Sequence, residues 1–228
     1  MYQYHSLYWG LCYIGCGNRT MENNMKHKEI VYLDTETTGL DCDYHEIISV
    51  CVIRKSDGRI WTWKAHPEWP DHIDDMAVAI NGYTAQDWAT ALTQNEMAHE
   101  LGMVLDGAVI VGHNPKFDLG FVENLFWRHK VNCKLSHRAI DTITLAYVYL
   151  VPWGLESLSL DEIRKFLRWP HHKIHTAIVD AQDVKKLYQY LTTWKRHILY
   201  MKLINWKLYS ICKKIAHFFT KGFPKWKK

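Results

Sequence analysis

The stretch Val31-Tyr32-Leu33-Asp34-Thr35-Glu36-Thr37-Thr38-Gly39-Leu40 ends an apolar run abruptly in two carboxylates. Val31, Tyr32 and Leu33 have the β-branched and aromatic character of a buried strand. Strand side chains alternate, so Asp34 and Glu36 face the same way. Two carboxylates about 4 Å apart repel by roughly 4 kcal/mol at an effective dielectric near 20, which favours a cation between them. Carboxylate and water oxygens suit the hard ions Mg²⁺ and Mn²⁺. A strand end with two solvated acids before a turn at Gly39 satisfies the same local pattern.

The chain of 228 residues, 48% of them apolar, is long enough for a full core, and its length favours one domain with extensions. Cys12, Cys16, Cys42, Cys51, Cys133 and Cys212 form no CxxC pair, so the sequence offers no zinc site and suggests a reducing, cytoplasmic setting. Charge is divided unevenly. Twelve of the 28 Lys and Arg, and none of the 24 Asp and Glu, lie in residues 184–228. An acidic body therefore carries a basic tail, and the two parts suit different partners.

Residues 1–28 show neither helical nor strand periodicity and are expected to form a poorly ordered extension. Met21 and Met25 are alternative starts, and the run Tyr8 to Ile14 is too short and interrupted for a membrane span. Regular pattern begins at Glu29. Strands are predicted at Glu46–Ile53 and Ile60–Lys64, joined by the turn Ser56-Asp57-Gly58, with a helix at Asp71–Ile80. Thr84, followed by Gln86 and Asp87, predicts the start of a helix running to about Leu105, and Ala108–Val111 reads as a short buried strand. In Gly112-His113-Asn114-Pro115-Lys116-Phe117-Asp118, Asn114 can cap and Pro115 suits the first helical position. Phe117, Phe121 and Leu125 then form a core stripe, with Asp118 beside it in the first turn. Two further helices are expected at Thr142–Val151 and Leu158–Leu167. The run His171-His172-Lys173-Ile174-His175 leads into a last helix with Val184, Leu187 and Leu191 inward. His175 and Asp180 lie about 140° apart on an ideal helix, so they converge only if His175 precedes the first turn.

Three pieces now stand in order: D-T-E on a first strand, H-N-P-K-F-D opening a helix, and H-T-A-I-V-D-A opening a late helix. Together they resemble the DEDDh branch of the 3′–5′ exonucleases, the family of the proofreading epsilon subunit of bacterial DNA polymerase III and its stand-alone relatives. The resemblance spans roughly Glu29 to Leu191. It implies a ribonuclease H-like α/β fold, in which three antiparallel strands lead a mixed five-stranded sheet flanked by helices. It also implies that Asp34, Glu36, Asp118 and Asp180 hold two Mg²⁺ (or Mn²⁺) ions about 4 Å apart. Asp34 would bridge both ions, Glu36 and Asp180 would hold the one carrying water, and Asp118 would hold the other largely through water. His175 would be the general base. Thr37, with Thr38 and nearby backbone, would hold the terminal nucleotide, and Leu40 would wedge against its base or simply pack. Glu36, Asn114 and His175 complete the expected substrate-contacting set, Asn114 otherwise serving only as a cap. His113 reads as structural. Asn81 stands where relatives often carry His, which makes substrate contact there doubtful.

Beyond the nuclease pattern, Leu187, Leu191, Trp194, Ile198, Met201, Asn205, Leu208, Cys212, Ile215 and Phe219 alternate steps of four and three in a heptad seam. On a helical wheel with Lys195 at zero, this seam spans roughly 200° to 320°. Lys195, Arg196, Lys202, Lys207, Lys213 and Lys214 fall between about 340° and 120°, and Leu199, Leu203 and Trp206 interrupt that basic arc. The expected organisation is an extension at 1–28, an exonuclease domain at 29–193 and a basic amphipathic helical tail at 194–228. The expected reaction is 3′–5′ hydrolysis of DNA, from single-stranded 3′ ends, releasing nucleoside 5′-monophosphates. An exoribonuclease, or a polymerase- or membrane-binding module centred on the tail, is the alternative. The tail could meet a polymerase or another protein partner, or touch a membrane peripherally, without a transmembrane span.

Overall fold

The computed structural model describes residues 28–170, 175–193 and 195–220. The N-terminal segment 1–27, residues 171–174 of the histidine cluster, Trp194 of the seam and the last eight residues lie outside them. Five strands form one sheet: β1 (Ile30–Thr37), β2 (Ile47–Arg54), β3 (Ile60–Lys64), β4 (Val109–Gly112) and β5 (Ala139–Asp141). Their order is β3-β2-β1-β4-β5. The first three pair antiparallel, while β4 joins β1, and β5 joins β4, in parallel. This is the expected mixed sheet with an antiparallel leading meander. The helices are α1 (Asp75–Asn81), α2 (Gln94–Leu105), α3 (Pro115–Arg128), α4 (Thr142–Leu150), α5 (Leu160–Leu167), α6 (Ala177–Thr192) and α7 (Lys195–Thr220).

Alternation along β1 divides the core. Val31 and Leu33 join Val50, Val52, Leu101, Phe121 and Leu125 on the α2–α3 side of the sheet. Tyr32 points the other way and packs with Cys51, Val111, Ala177, Ala181 and Val184 under α6. Two alanines at the contact let α6 lie close to the strands, which brings its first turn up to the end of β1. A third cluster unites Ala146 and Leu150 of α4, Ile163 and Leu167 of α5, Leu187 and Leu191 of α6, and Leu199 and Leu203 of α7.

Several sequence expectations shift. The helix expected at Asp71–Ile80 is a 3₁₀ turn at Pro70–His72 followed by α1, because Asp74 caps the amide of Met76 at 2.8 Å and restarts the chain. The helix expected from Thr84 begins instead at Gln94. Thr84 closes only a local turn with Asp87, whereas Thr93 and Glu96 form a reciprocal capping box. Asn114 does not cap α3 through its side chain. Its backbone sits in the left-handed region at φ 66°, and its amide donates to Asp141 Oδ1 at 3.1 Å. In the tail the expected seam is turned around. Leu199 and Leu203, from the basic arc, are the buried residues, while Ile198, Met201, Leu208 and Ile215 face solvent. The reason is local: Leu199 and Leu203 meet Leu187 and Leu191, Trp153 stacks on Tyr200, and Arg168 lies over the Trp206 ring.

Candidate active site

Asp34 and Glu36 lie on the α6 face of β1, two residues apart, as strand alternation requires. Asp180, in the first turn of α6, meets them there. One carboxylate oxygen from each of Asp34, Glu36 and Asp180 lies within 4.8 Å of the others, close enough to share a cation. Asp118 approaches from the opposite side of the sheet. It is buried in the first turn of α3 and accepts a hydrogen bond from Thr35 Oγ1 at 2.8 Å. Thr35 points to the α3 face between the two acids, so β1 itself links Asp118 to the other three.

The electrostatics are those of an anionic site whose carboxylates outnumber the nearby cationic groups, Arg164 and His175. Burial raises the Asp34 carboxyl well above its usual range, and Asp118, Asp180 and Glu36 push it further, with Arg164 opposing. Glu36 is raised to about 7, by burial first and then by Asp180. Burial raises Asp118 to about 7 despite its hydrogen bond from Thr35. Burial, with Asp34 nearby, also pushes the Cys51 thiol up to about 12, which leaves it inert. Oxygen-only donors, half-buried at Asp34 and Glu36 and buried at Asp180, and mutually repelling, fit one or more hard divalent cations.

His175 precedes α6, as its convergence with Asp180 demands. Its Nδ1 lies 3.0 Å from Asp180 Oδ2 and its Nε2 lies 3.4 Å from Asp161 Oδ2. Burial works to lower its pKa, but the bond to Asp180, helped by Asp161 and Glu36, outweighs this and raises it. Behind the pair sits Arg164, only 1% exposed, bonding Asp183 at 2.6 Å, Asp161 at 2.7 Å and also Asp180. Burial opposes its charge, yet these carboxylates hold the guanidinium protonated. Sequence reasoning missed Arg164, Asp161 and Asp183. The only signal available was spacing: Asp161 and Arg164 are three apart on α5, and Asp180 and Asp183 are three apart on α6.

The remaining expected residues divide into framework and surface. Thr38 is buried and its hydroxyl accepts from the Glu46 amide at 2.9 Å, while Thr37 donates to Gly39 O at 2.6 Å. Both therefore fold the turn after β1. Asn81 donates to Thr37 O at 3.0 Å and accepts from the Tyr83 amide, so it buttresses that turn. His113 is structural, with Nδ1 at 3.0 Å from Thr142 Oγ1 and Nε2 at 2.8 Å from Leu158 O. Leu40 is 82% exposed, beside a cavity of ≈ 250 Å³ also lined by Glu36, Thr37, Met76, Ile80 and Phe117. On the other side of Glu36 lies a larger cleft of ≈ 620 Å³, lined by Ser49, Asn81, Trp88, His175 and Ile178 among others. Glu36 and Asn81 line both clefts.

A family model described as an exonuclease, RNase_T, matches residues 31–188. DNA polymerase III PolC-type from Pediococcus pentosaceus is 27% identical over 170 residues, covering 72% of this chain and 11% of the relative. DNA polymerase III subunit epsilon from Buchnera aphidicola is 27% identical over 195 residues, covering 80% of this chain and 81% of that one. The chain thus spans about a tenth of the PolC-type relatives and most of the epsilon subunit. In fold it is similar to zinc-bound E. coli exonuclease I complexed with single-stranded DNA. That match has a TM-score of 0.63 at 20% identity, over 78% of this chain and 43% of the other.

Proposed function

Since the chain belongs to the RNase_T exonuclease family, we propose that it is a metal-dependent 3′–5′ exonuclease that hydrolyses DNA from a 3′ end and releases nucleoside 5′-monophosphates. The observation that carries this reading is the convergence of Asp34, Glu36 and Asp180 within 4.8 Å of one another, with His175 alongside. Residues 29–193 are taken as the nuclease unit, and 194–228 as its extension.

Asp34, Glu36 and Asp180, with Asp118 on the far side of β1, would hold two Mg²⁺ or Mn²⁺ ions. When bound, such ions supply the positive charge that an anionic phosphodiester requires and lower the pKa of a nucleophilic water. The chain's own residues do the rest. Leu40 offers an exposed apolar edge to a terminal base, and Thr37, Thr38 and Asn81 fix the turn that presents it. Asp161 orients His175 through Nε2. Nδ1 can then accept a proton once Asp180 Oδ2 is engaged elsewhere.

The test is digestion of 5′-labelled and 3′-labelled single-stranded DNA, with Mg²⁺, Mn²⁺ or EDTA, alongside RNA of the same sequence and the D180N protein. Immediate release of the 3′ mononucleotide from DNA, abolished by EDTA and by D180N, is expected. Preferential cleavage of the RNA would reassign the substrate, and full activity in D180N would defeat the site assignment.

A further inference from the structure

The nuclease reading leaves α7 unexplained. Its first half is anchored: Leu199 and Leu203 are buried, and Trp206 is partly covered beneath Arg168. From Lys207 to Ile215 every side chain is exposed. At 100° per residue, Ile198, Met201, Ile204, Leu208, Tyr209, Ile211, Cys212 and Ile215 fall within an arc of about 160° on the side away from the domain. Met201 and Leu208 are 60% and 55% exposed. Only His197 and Asn205 interrupt this arc with polar groups.

Lysines border the apolar arc on both sides. Lys202 and Lys213 lie beyond one edge, about 20–40° from Tyr209, and Lys207 and Lys214 lie beyond the other, about 40–60° from Ile211. No acidic residue occurs anywhere after Asp183. We propose that α7 is an interfacial helix that docks the enzyme on an anionic lipid surface, its apolar arc lying in the headgroup–acyl boundary and its lysines reaching the phosphates on either side. No helix of the described residues is long and apolar enough to cross a membrane, so α7 lies in the plane of the interface.

The charge pattern selects this occupant over the others. A second copy of α7 would set lysine against lysine, with no carboxylate to form the pairs that bind helices side by side. A nucleic acid would neutralise the lysines but leave the apolar arc in water. A bilayer with acidic lipid satisfies both. Each lysine near an anionic surface strengthens binding roughly fivefold, and each methylene buried in the boundary about fourfold.

The full chain would be floated with neutral phosphatidylcholine vesicles and with vesicles containing about one-third phosphatidylglycerol, at salt from about 0.1 to 0.5 M. Binding is expected to the anionic vesicles and to weaken with salt. It should fall at least about tenfold in M201E/L208E and likewise in K202Q/K207Q/K213Q/K214Q. Because all six side chains are exposed, these variants should fold, which the thermal midpoint reports. M201E/L208E should hydrolyse oligonucleotides in free solution as the wild type does, so the outcome is independent of the cleavage assay. The proposal is overturned if wild type prefers neither vesicle, or if M201E/L208E floats equally well. A lipid-free dimer abolished by M201E/L208E, with no flotation, would assign the face to a second copy.

Discussion

Replacing Asp34 by Asn should make the metal-free protein more stable at pH 8, although it removes a central site residue. The carboxylates of Asp34, Glu36 and Asp180 lie within 4.8 Å of one another, which at an effective dielectric near 20 means about 3 kcal/mol of repulsion per ionised pair. Side-chain rotation and partial protonation relieve much of this, leaving a gain of about 2 kcal/mol on neutralising Asp34, or roughly 4–8 °C in Tm for a domain of this size. The pH dependence fixes the sign. Asp34, Glu36 and Asp118 all have pKa values raised in the folded protein, so between the unfolded range near 4 and about 7 the native state binds more protons than the unfolded chain. Native stability in EDTA therefore falls as pH rises through that window. The gain from D34N should shrink as the pH falls, because burial and the neighbouring Asp118, Asp180 and Glu36 make the folded Asp34 carboxyl take up its proton at a higher pH than the unfolded chain does.

Thermal denaturation of both proteins in EDTA and in Mg²⁺, at pH 5 and pH 8, makes the test. In saturating Mg²⁺ the order should reverse, because wild type gains about 2.7 kcal/mol at a hundred times Kd while D34N lacks one of the proposed ligands. A D34N protein less stable than wild type in EDTA at pH 8 would refute the reasoning.

Three other outcomes follow from the same geometry. R164M leaves three carboxylates around a missing cation and should cost about 3–5 kcal/mol in urea denaturation, with R164K intermediate because a single ammonium cannot reproduce the fork; wild-type stability in R164M would show that the network contributes nothing. H175Q should retain the fold and its Mg²⁺-induced rise in Tm but lose about 10²- to 10⁴-fold in hydrolysis rate, and a change under tenfold would remove His175 from proton transfer. L203A should lower stability by about 2–4 kcal/mol, whereas M201A one half-turn away should change it by less than about 0.5 kcal/mol; equal losses would contradict the docked face of α7.

Most of the sheet was legible because its signals are local. Alternation in β1, the Asp57-Gly58 turn and the apolar period of α3 need no distant partner to be read. The β5 strand, three residues long, was not identified from its own residues, since Ala139–Asp141 is too short to show a period. Thr84 reads as the cap, whereas Thr93, with Glu96 at capping-box spacing, starts the helix, a local signal that sequence reasoning passed over. In the candidate site, Asp34, Glu36, Asp118, His175 and Asp180 were named from what the resemblance of their motifs implies. Their arrangement could not be read that way. That Asp118 arrives across the sheet through Thr35, and that Arg164 ties Asp161, Asp180 and Asp183 together, depends on how α3, α5 and α6 pack. Periodicity in the tail marked an amphipathic helix with one apolar seam, and a basic arc interrupted by Leu199, Leu203 and Trp206. That the Leu199–Leu203 side is buried instead of the seam was decided by Leu187 and Leu191, because a helix folds down on whichever face meets an existing apolar surface, and that surface exists only once α4, α5 and α6 have come together.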